Sequence, residues 1–388
     1  MHKKTDRLEL GRLATFVPNK SLPVYSWFYF KEGFSRGLVM MVLDKYASRG
    51  NVNVLDPFAG SGTTLVACKE RGLDSYGFDV SPLAVLASRA KTNDYDLGEL
   101  KSAAKELSKS RFERQDLGAV PPSIRKFFNP HTLEDVLFFR SQLSRFHGAA
   151  LDFLKLGLVT STTRCSWMYK DGAVLKVRKK PVPVFRKFYM RTLRKMLADL
   201  KKMQGSFKPC QTFVDECDAR NLKIDSGFMD LVITSPPYLN KIEYTKIYSA
   251  EEFLFFSQPA GKRGIRSYIG ADAAAEPVFP GLVLPPAANA YFADMKRVLS
   301  ELYRVCRPGA TLAFVVGDGC FPDWPVRPGS GSHSAGGVVH CDALFPVLAE
   351  EQGFRTEEVC ILNRRVCTRE RVVKVGWMEE SMIMLRRD

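Results

Sequence analysis

The 388-residue sequence has no apolar run long enough to cross a bilayer, which argues against a membrane partner. Residues 1–6 are charged but no apolar segment follows them, so we expect no secretory signal. The nine cysteines include no C-x-x-C pair, which disfavours a zinc site and predicts buried free thiols in a reducing compartment. Internal repeats are also lacking. These absences predict a cytoplasmic globular protein without a metal site.

Acidic residues are in the minority, and the formal net charge of +15 favours a polyanionic partner. Basic residues concentrate between residues 155 and 195, with aromatic residues interleaved among them. Cations that pair with phosphates and rings that stack on bases are typical of a nucleic-acid surface. A solvated helical face is the alternative for the second half of this tract. We expect DNA contacts from six basic side chains, namely Arg164, Lys170, Lys176, Arg178, Lys179 and Lys180.

A glycine turn follows the first strand that the alternation of residues predicts. The strand ends at Asp56, and residues 57–64 lead into a helix. A strand, a glycine turn and a helix bring backbone N–H groups and a helix N-terminus close to a ligand. The turn contains no lysine, which disfavours a phosphate-binding P-loop. A second strand ends at Asp79, where an acid in this kind of unit binds ribose hydroxyls. Its alternative role is to cap the next helix.

A second motif ends the apolar run at residues 231–233 with two prolines. Pro236 and Pro237 donate no backbone hydrogen bond, so we expect their carbonyls to point into the space beyond the strand. The Ser235 hydroxyl and the Tyr238 ring suit a planar base whose amino group needs acceptors. An ordinary strand exit is the alternative. Asp218, at a further strand end, is placed to accept a hydrogen bond from an adenine amino group.

Strands and helices alternate through residues 1–91 and 211–388, which predicts an α/β fold with a mostly parallel sheet and helices on both faces. Residues 92–210 interrupt this alternation with a helical, basic segment. Residues 257–290 are rich in alanine and proline after a few cations, and predict a long loop.

Residues 56–64 and 234–238 together resemble the DNA amino-methyltransferases, which use S-adenosylmethionine to methylate the exocyclic amine of cytosine (N4) or adenine (N6). The resemblance implies a Rossmann-like class I methyltransferase fold with a seven-stranded sheet, formed by residues 1–91 and 211–388. The basic and aromatic residues of the insertion make 92–210 our candidate for DNA recognition; in the family a recognition region often follows the strand before Asp218, so 257–290 is the competing candidate. The resemblance also implies cofactor contacts from Lys31, Phe34, Asp56, Pro57, Phe58, Ala59, Gly60, Ser61, Gly62, Thr63, Thr64, Asp79, Asp218 and Ala219.

The resemblance assigns the chemistry to Ser235, Pro236, Pro237 and Tyr238. Serine at the first position tends to accompany cytosine, so we expect direct transfer to N4 of a cytosine flipped out of double-stranded DNA. The alternatives are N6-adenine methylation, an RNA amino-methyltransferase, a protein-glutamine methyltransferase (which would more often carry Asn before the prolines) and an inactive DNA-binding subunit. Because the chain has no nuclease motif, a restriction endonuclease partner would be a separate polypeptide.

Overall fold

The protein is described by a computed structural model that covers residues 3–31, 33–47, 52–171, 174–242, 244–256, 276–322, 324, 337–369 and 373–388. The strands are β1 (Lys4–Asp6), β2 (Val54–Asp56), β3 (Ser75–Asp79), β4 (Met168–Asp171), β5 (Val174–Val177), β6 (Thr212–Glu216), β7 (Met229–Thr234), β8 (Cys306–Gly317), β9 (Gly319–Cys320), β10 (Val338–Val339), β11 (Phe354–Arg369) and β12 (Val373–Arg387).

The α-helices are α1 (Arg36–Tyr46), α2 (Thr63–Arg71), α3 (Pro82–Thr92), α4 (Leu97–Lys109), α5 (Pro122–Arg125), α6 (Pro130–Gln142), α7 (Gly148–Arg164), α8 (Phe185–Met203), α9 (Tyr244–Ile247), α10 (Ser249–Phe255), α11 (Pro286–Val305) and α12 (Cys341–Glu351). Within the described residues, none of these helices is long and apolar enough to span a membrane.

Eight strands form one sheet in the order β1, β11, β12, β8, β7, β2, β3, β6. β12 is antiparallel to both of its neighbours, and the other neighbouring pairs are parallel. The predicted Rossmann-like, mostly parallel sheet is therefore confirmed. The predicted count of seven strands is one too few, because the short strand β1 extends the edge beside β11. All three residues of β1 are exposed, so no apolar alternation marks it in the sequence.

The two faces of the sheet are covered by separate apolar clusters. Val232 of β7 belongs to the cluster that contains α11 and α12, whereas Leu231 and Ile233 belong to the cluster that contains α1 and α2. Successive side chains of a strand point to opposite faces, so a strand buried on both faces needs an unbroken apolar run. This explains why β7 reads as continuous apolar sequence up to the two prolines.

The predicted insertion packs directly on the rest of the chain. Its helices share a third apolar cluster with α3 and with the aromatic stretch near Trp27. Trp27 Nε1 donates to Asp199 of α8 at 3.1 Å, and Thr160 of α7 donates to the Trp27 carbonyl at 2.7 Å. Arg89 of α3 pairs with Asp152 of α7 at 2.6 Å. The insertion is thus held rigidly beside the sheet, and its part in DNA recognition stays a prediction.

The predicted long loop extends too far towards the C-terminus. Residues 257–275 lie outside the described residues, and α11 already begins at Pro286, where a proline suits the first helical turn. The prediction of a loop is therefore wrong from that residue onward.

The prediction of free thiols is wrong for one pair of cysteines. Cys320 and Cys367 form a disulfide with their Cα atoms 5.9 Å apart, across 47 residues of sequence. The pair joins β9 to β11, and so wide a separation carries no recognisable spacing in the sequence. The other cysteines are free, and most of them are buried as expected.

Candidate active site

The glycine turn and the proline motif follow neighbouring parallel strands. β2 pairs with β7, so that Leu55 lies opposite Val232. Asp56 joins the two motifs, because Oδ1 accepts a hydrogen bond from Thr234 Oγ1 at 2.7 Å and Oδ2 accepts one from Thr64 Oγ1 at 2.7 Å. The carboxyl ends of parallel strands are where ligands bind in open α/β sheets. The sheet therefore brings the two predicted halves of the site together.

A cleft of about 590 Å³ opens at this edge of the sheet. Its walls combine apolar side chains with two carboxylates and a guanidinium. The lining residues are Phe30, Pro57, Phe58, Asp79, Val80, Ser81, Cys217, Asp218, Ala219, Arg220, Ser235, Pro237 and Tyr244. Its mixture of apolar walls with few polar groups is typical of a small-molecule site.

Asp79 supplies one carboxylate of the cleft and also holds the glycine turn. Oδ2 accepts the Gly60 amide at 2.9 Å, and Oδ1 accepts the Ser81 amide at 2.9 Å. Burial raises the pKa of Asp79 to about 6, although these amide donors favour its charged form. The helix-capping alternative and the ligand-binding role are therefore compatible, since the same side chain orders the local backbone and lines the cleft.

The two glycines of the turn are required by the backbone and by the space around them. Gly60 and Gly62 have φ angles of +53° and +77°, a region that side chains disfavour. A Cβ on Gly62 would lie 2.8 Å from the Cα of Ser88, and one on Gly60 would lie 3.3 Å from Phe30 Cδ1. Lys91, which is buried, donates to the Ser61 carbonyl at 2.8 Å from beneath the turn. These contacts hold the turn close to α3 and to Phe30.

Asp218 lies in the cleft with an arginine that the sequence analysis missed. Arg220 donates to Asp218 through both its amide and its Nε at 2.9 Å, and pairs with Asp294 of α11 at 2.7 Å. Burial opposes ionisation of Asp218, but the hydrogen bonds from Arg220 outweigh it and keep the pKa of Asp218 below its ordinary value. Asp218 is therefore an ionised acceptor at the cleft, held in one orientation.

Five of the predicted cofactor residues line the cleft, namely Pro57, Phe58, Asp79, Asp218 and Ala219. The glycine turn and the start of α2 lie behind this lining and support it; these residues are Ala59, Gly60, Ser61, Gly62, Thr63 and Thr64. Thr64 is fully buried and donates to Asp56, and neither residue lines the cleft, so their cofactor contacts stay a prediction. They connect the two strands.

The aromatic stretch contributes Phe30 to the cleft in place of Phe34. Phe34 packs in the apolar cluster of α1 and α2 and does not line the cleft, so its cofactor contact stays a prediction. The Phe30 ring stacks on Tyr244 and Tyr248 with centroids 5.4 and 5.0 Å apart. The Lys31 amide donates to the Tyr248 hydroxyl at 3.1 Å, and Lys31 itself does not line the cleft. A dense aromatic stretch in the sequence predicts that some of its rings form the wall of a pocket, but the fold determines which rings face the cleft.

The proline motif divides between the cleft and the interior. Ser235 and Pro237 line the cleft, and the Ser235 hydroxyl oxygen has no hydrogen-bond partner among the described residues. Pro236 is buried. Tyr238 is only 4% exposed, and its hydroxyl donates to Glu380 at 2.8 Å. The structure does not place the Tyr238 ring in this cleft, so its stacking on a base stays a prediction.

The predicted DNA-binding residues lie in two environments. Arg164, Lys176, Arg178, Lys179 and Lys180 are exposed around the β4–β5 hairpin. Lys170 instead pairs with the fully buried Glu251 at 2.8 Å and lies 3.5 Å from the centre of the Tyr248 ring. This position contradicts the predicted phosphate contact of Lys170, because its ammonium already neutralises an interior carboxylate.

Asp318, His340 and Asp342 form a group whose side-chain atoms lie within 4.8 Å of one another. Asp318 already accepts the amides of Cys341 and Glu379, each at 2.9 Å. The ammonium of Lys4 lies 2.6 Å from Asp342. A protein cation and backbone donors therefore pair with Asp318 and with Oδ2 of Asp342, which ties β1 to α12, whereas Oδ1 of Asp342 has no hydrogen-bond partner among the described residues.

Known proteins resemble this chain over most of its length. Residues 17–88 match the profile of the N6_N4_Mtase family, described as DNA methylase. The type II methyltransferase M.BsoBI of Geobacillus stearothermophilus is 24% identical over 435 aligned residues, covering 91% of this chain and 83% of that protein. The type II methyltransferase M.AvaI of Nostoc sp. is 24% identical over 430 aligned residues, which cover 90% of this chain and 83% of that protein. M.MjaII of Methanocaldococcus jannaschii is 38% identical over 90 residues, which cover 23% of this chain and 17% of that protein.

Proposed function

We propose that this chain, which is similar to type II DNA methyltransferases over most of its length, is a DNA amino-methyltransferase that methylates the N4 amine of cytosine in double-stranded DNA. The observation that carries the proposal is Ser235, which lines the cleft and whose buried hydroxyl oxygen has no hydrogen-bond partner among the described residues. A polar group left unpaired in a protein interior costs stability, so its position is explained by a ligand that completes the hydrogen bond.

The cleft residues fit S-adenosylmethionine, which supplies an electrophilic methyl group when bound. Asp79 is placed to accept hydrogen bonds from ribose hydroxyls, and Asp218 from the adenine amine. The side chains of Phe30, Pro57 and Phe58 supply apolar walls.

Ser235 and the Pro236 carbonyl act on the amine that receives the methyl group. An aromatic amine is a poor nucleophile because its lone pair is delocalised into the ring. Acceptors that bind its two hydrogens favour a more tetrahedral nitrogen, which is an electrostatic and positioning effect. Cys217 lines the cleft, but burial raises its pKa and its Sγ donates to the Asn221 carbonyl at 3.2 Å. Direct transfer without a thiolate nucleophile follows from these residues.

The choice of cytosine rests on Ser235 as the first residue of the motif, and N6-adenine is the alternative. The test is to incubate the protein with S-adenosylmethionine and unmethylated plasmid, digest the DNA to nucleosides and identify the product by mass spectrometry. We expect N4-methylcytosine. N6-methyladenine would overturn the choice of base, and methylation of RNA in place of DNA would overturn the substrate class. A protein that binds no cofactor by calorimetry would support the inactive-subunit alternative.

The names of the relatives include type II methyltransferases, so we propose that a cognate restriction endonuclease, where one exists, is a separate polypeptide. Such a partner would recognise the same DNA sequence. The insertion 92–210 is our candidate for reading that sequence, because its exposed cations adjoin a hairpin that contacts α9 and α10.

We expect Lys170 and Lys176 to differ sharply when each is replaced by methionine. Lys170→Met leaves the carboxylate of Glu251 buried and uncompensated, and should lower the free energy of unfolding by about 3 kcal/mol. Lys176 forms only an exposed pair with Asp171 at 2.7 Å, so Lys176→Met should change stability by less than about 0.5 kcal/mol. Urea unfolding of both variants measures the difference.

DNA binding by the same two variants tests whether Lys170 pairs with Glu251 in the interior and makes no phosphate contact. Lys176→Met should reduce the slope of log affinity against log salt by about 0.9, the value for one phosphate contact. For Lys170→Met, the slope of log affinity against log salt should equal that of the unmodified protein. A reduced slope for Lys170→Met together with unchanged stability would contradict the interior role.

We expect cofactor affinity to fall as the pH is lowered through about 6. Burial raises the pKa of Asp79 to about 6, and only the ionised carboxylate can accept hydrogen bonds from both ribose hydroxyls. Above pH 6 the acceptor is present; below it, affinity should fall about tenfold per pH unit. Calorimetric titration between pH 5 and 8 measures this, with Asp79→Asn as the control that should be weaker and nearly pH-independent. An unchanged profile in that variant would assign the titration to another group.

A further inference from the structure

One face of α8 carries only positive charge. Seven positions of this helix are exposed, and all except Ala198 are basic: Lys187, Arg191, Arg194, Lys195, Lys201 and Lys202. The opposite face carries Phe185, Tyr189, Leu193, Met196 and Leu200 into the third apolar cluster. These spacings of three and four residues put the six cations, here called the α8 stripe, on a single side of the helix.

The α8 stripe lacks the acidic partners that a solvated helical face usually has. Among the described residues, its single ion pair joins Lys195 to Asp199 at 3.5 Å. Like charges four residues apart, such as Lys187 and Arg191, destabilise a helix by about 0.2–0.5 kcal/mol per pair. By contrast, the exposed face of α4 in the same insertion mixes Lys101 and Lys105 with acidic residues. The stripe therefore costs stability, and a solvated face does not account for it.

The dimensions and position of the stripe match a DNA backbone. From Lys187 to Lys202 the helix rises about 22 Å, which is the length of about six base pairs. In the sequence, only residues 181–186 separate the N-terminal end of the stripe from the exposed cations Arg178, Lys179 and Lys180 of the hairpin segment. That end is bordered by Val184, Phe188 and Met190, which line a shallow groove together with Arg191 and Arg194.

We infer that the α8 stripe binds the phosphate backbone of duplex DNA, an inference that rests on the proposed function. It adds to the hairpin cations a second set of contacts, which are independent of base sequence and fix the register of the protein on the duplex. The charge repulsion along α8 in the unbound protein is relieved when phosphates neutralise the stripe.

The test is the triple variant Lys187→Gln, Arg191→Gln and Arg194→Gln, compared with a matched triple variant, Lys101→Gln, Lys105→Gln and Lys126→Gln. Both remove three exposed charges from the insertion. Affinity for an unmethylated duplex is measured by fluorescence anisotropy from 0.05 to 0.4 M salt. We expect the stripe variant to lose about 2 to 3 units of salt slope and about 100-fold in affinity at 0.1 M salt, with little change in the matched variant.

Two further readouts separate this inference from folding defects and from the proposed function. The stripe variant should keep its calorimetric affinity for S-adenosylmethionine, and its thermal midpoint should be equal or higher because like charges are removed. An unchanged salt slope in the stripe variant, or an equal loss in the matched variant, would overturn the inference while leaving the methyltransferase proposal intact. Absence of DNA binding by the unmodified protein, or tighter binding to duplex RNA, would overturn both.

Discussion

Ser235→Ala is expected to lower kcat by about 100- to 1,000-fold while the affinity for S-adenosylmethionine stays within about twofold. The variant removes the unpartnered hydroxyl that we assign to the target amine, and loss of one preorganised polar contact to a reacting group has an effect of this size. Because the unmodified hydroxyl makes no hydrogen bond to described residues, its removal should not destabilise the fold. Single-turnover methylation and calorimetry measure the two quantities.

The conservative variant Ser235→Asn provides the matched control. An amide oxygen at this position keeps an acceptor for the amine, so this variant should be clearly more active than Ser235→Ala. Equal turnover in the alanine variant and the unmodified protein would remove Ser235 from the chemistry. A parallel loss of cofactor affinity and turnover would instead move its role to the cofactor.

Asp79→Ala is expected to weaken S-adenosylmethionine binding by about 100-fold. Two hydrogen bonds to a charged acceptor are worth about 3 kcal/mol together, and each 1.4 kcal/mol is tenfold in affinity. The variant also removes the acceptor of the Gly60 and Ser81 amides, which loosens the glycine turn. Calorimetric titration at pH 8, where the carboxylate is ionised, measures the full effect.

Asp56→Asn is the control on the neighbouring strand. Burial raises the pKa of Asp56 to about 6, as for Asp79, but Asp56 does not line the cleft and instead accepts hydrogen bonds from Thr64 and Thr234. Its replacement should lower the thermal midpoint and change cofactor affinity little. A larger loss of affinity in Asp56→Asn than in Asp79→Ala would reverse the two assignments.

The main outline of the fold could be predicted because the local sequence pattern of each central strand matches its buried position in the sheet. β2, β3 and β7 each end at a polar residue or at the proline motif, and each is apolar enough to be buried in a parallel sheet. The carboxyl ends of parallel strands meet at one edge, which is why Asp79, Asp218 and Ser235, each placed near a predicted strand end, line one cleft.

Other features had no local signal. β1 is an exposed three-residue edge strand, and Cys320 reaches Cys367 only through the packing of β9 beside β11. Arg220, Tyr244 and Phe30 enter the cleft from three separate segments, so no spacing in the sequence joins them. Asp56 and Thr64 belong to the cofactor turn by sequence, yet their side chains point into the interior because they connect β2 to β7.

The basic tract shows most clearly which properties the sequence predicts and which depend on the tertiary structure. By itself the sequence determined that residues 155–202 are rich in cations and aromatic rings, and hence that a polyanion is the expected partner. Only the fold decided which cations remain exposed. Lys170 turns inward because Glu251 would otherwise be buried without a countercharge, whereas the apolar side of α8 anchors that helix and turns its lysines and arginines to solvent.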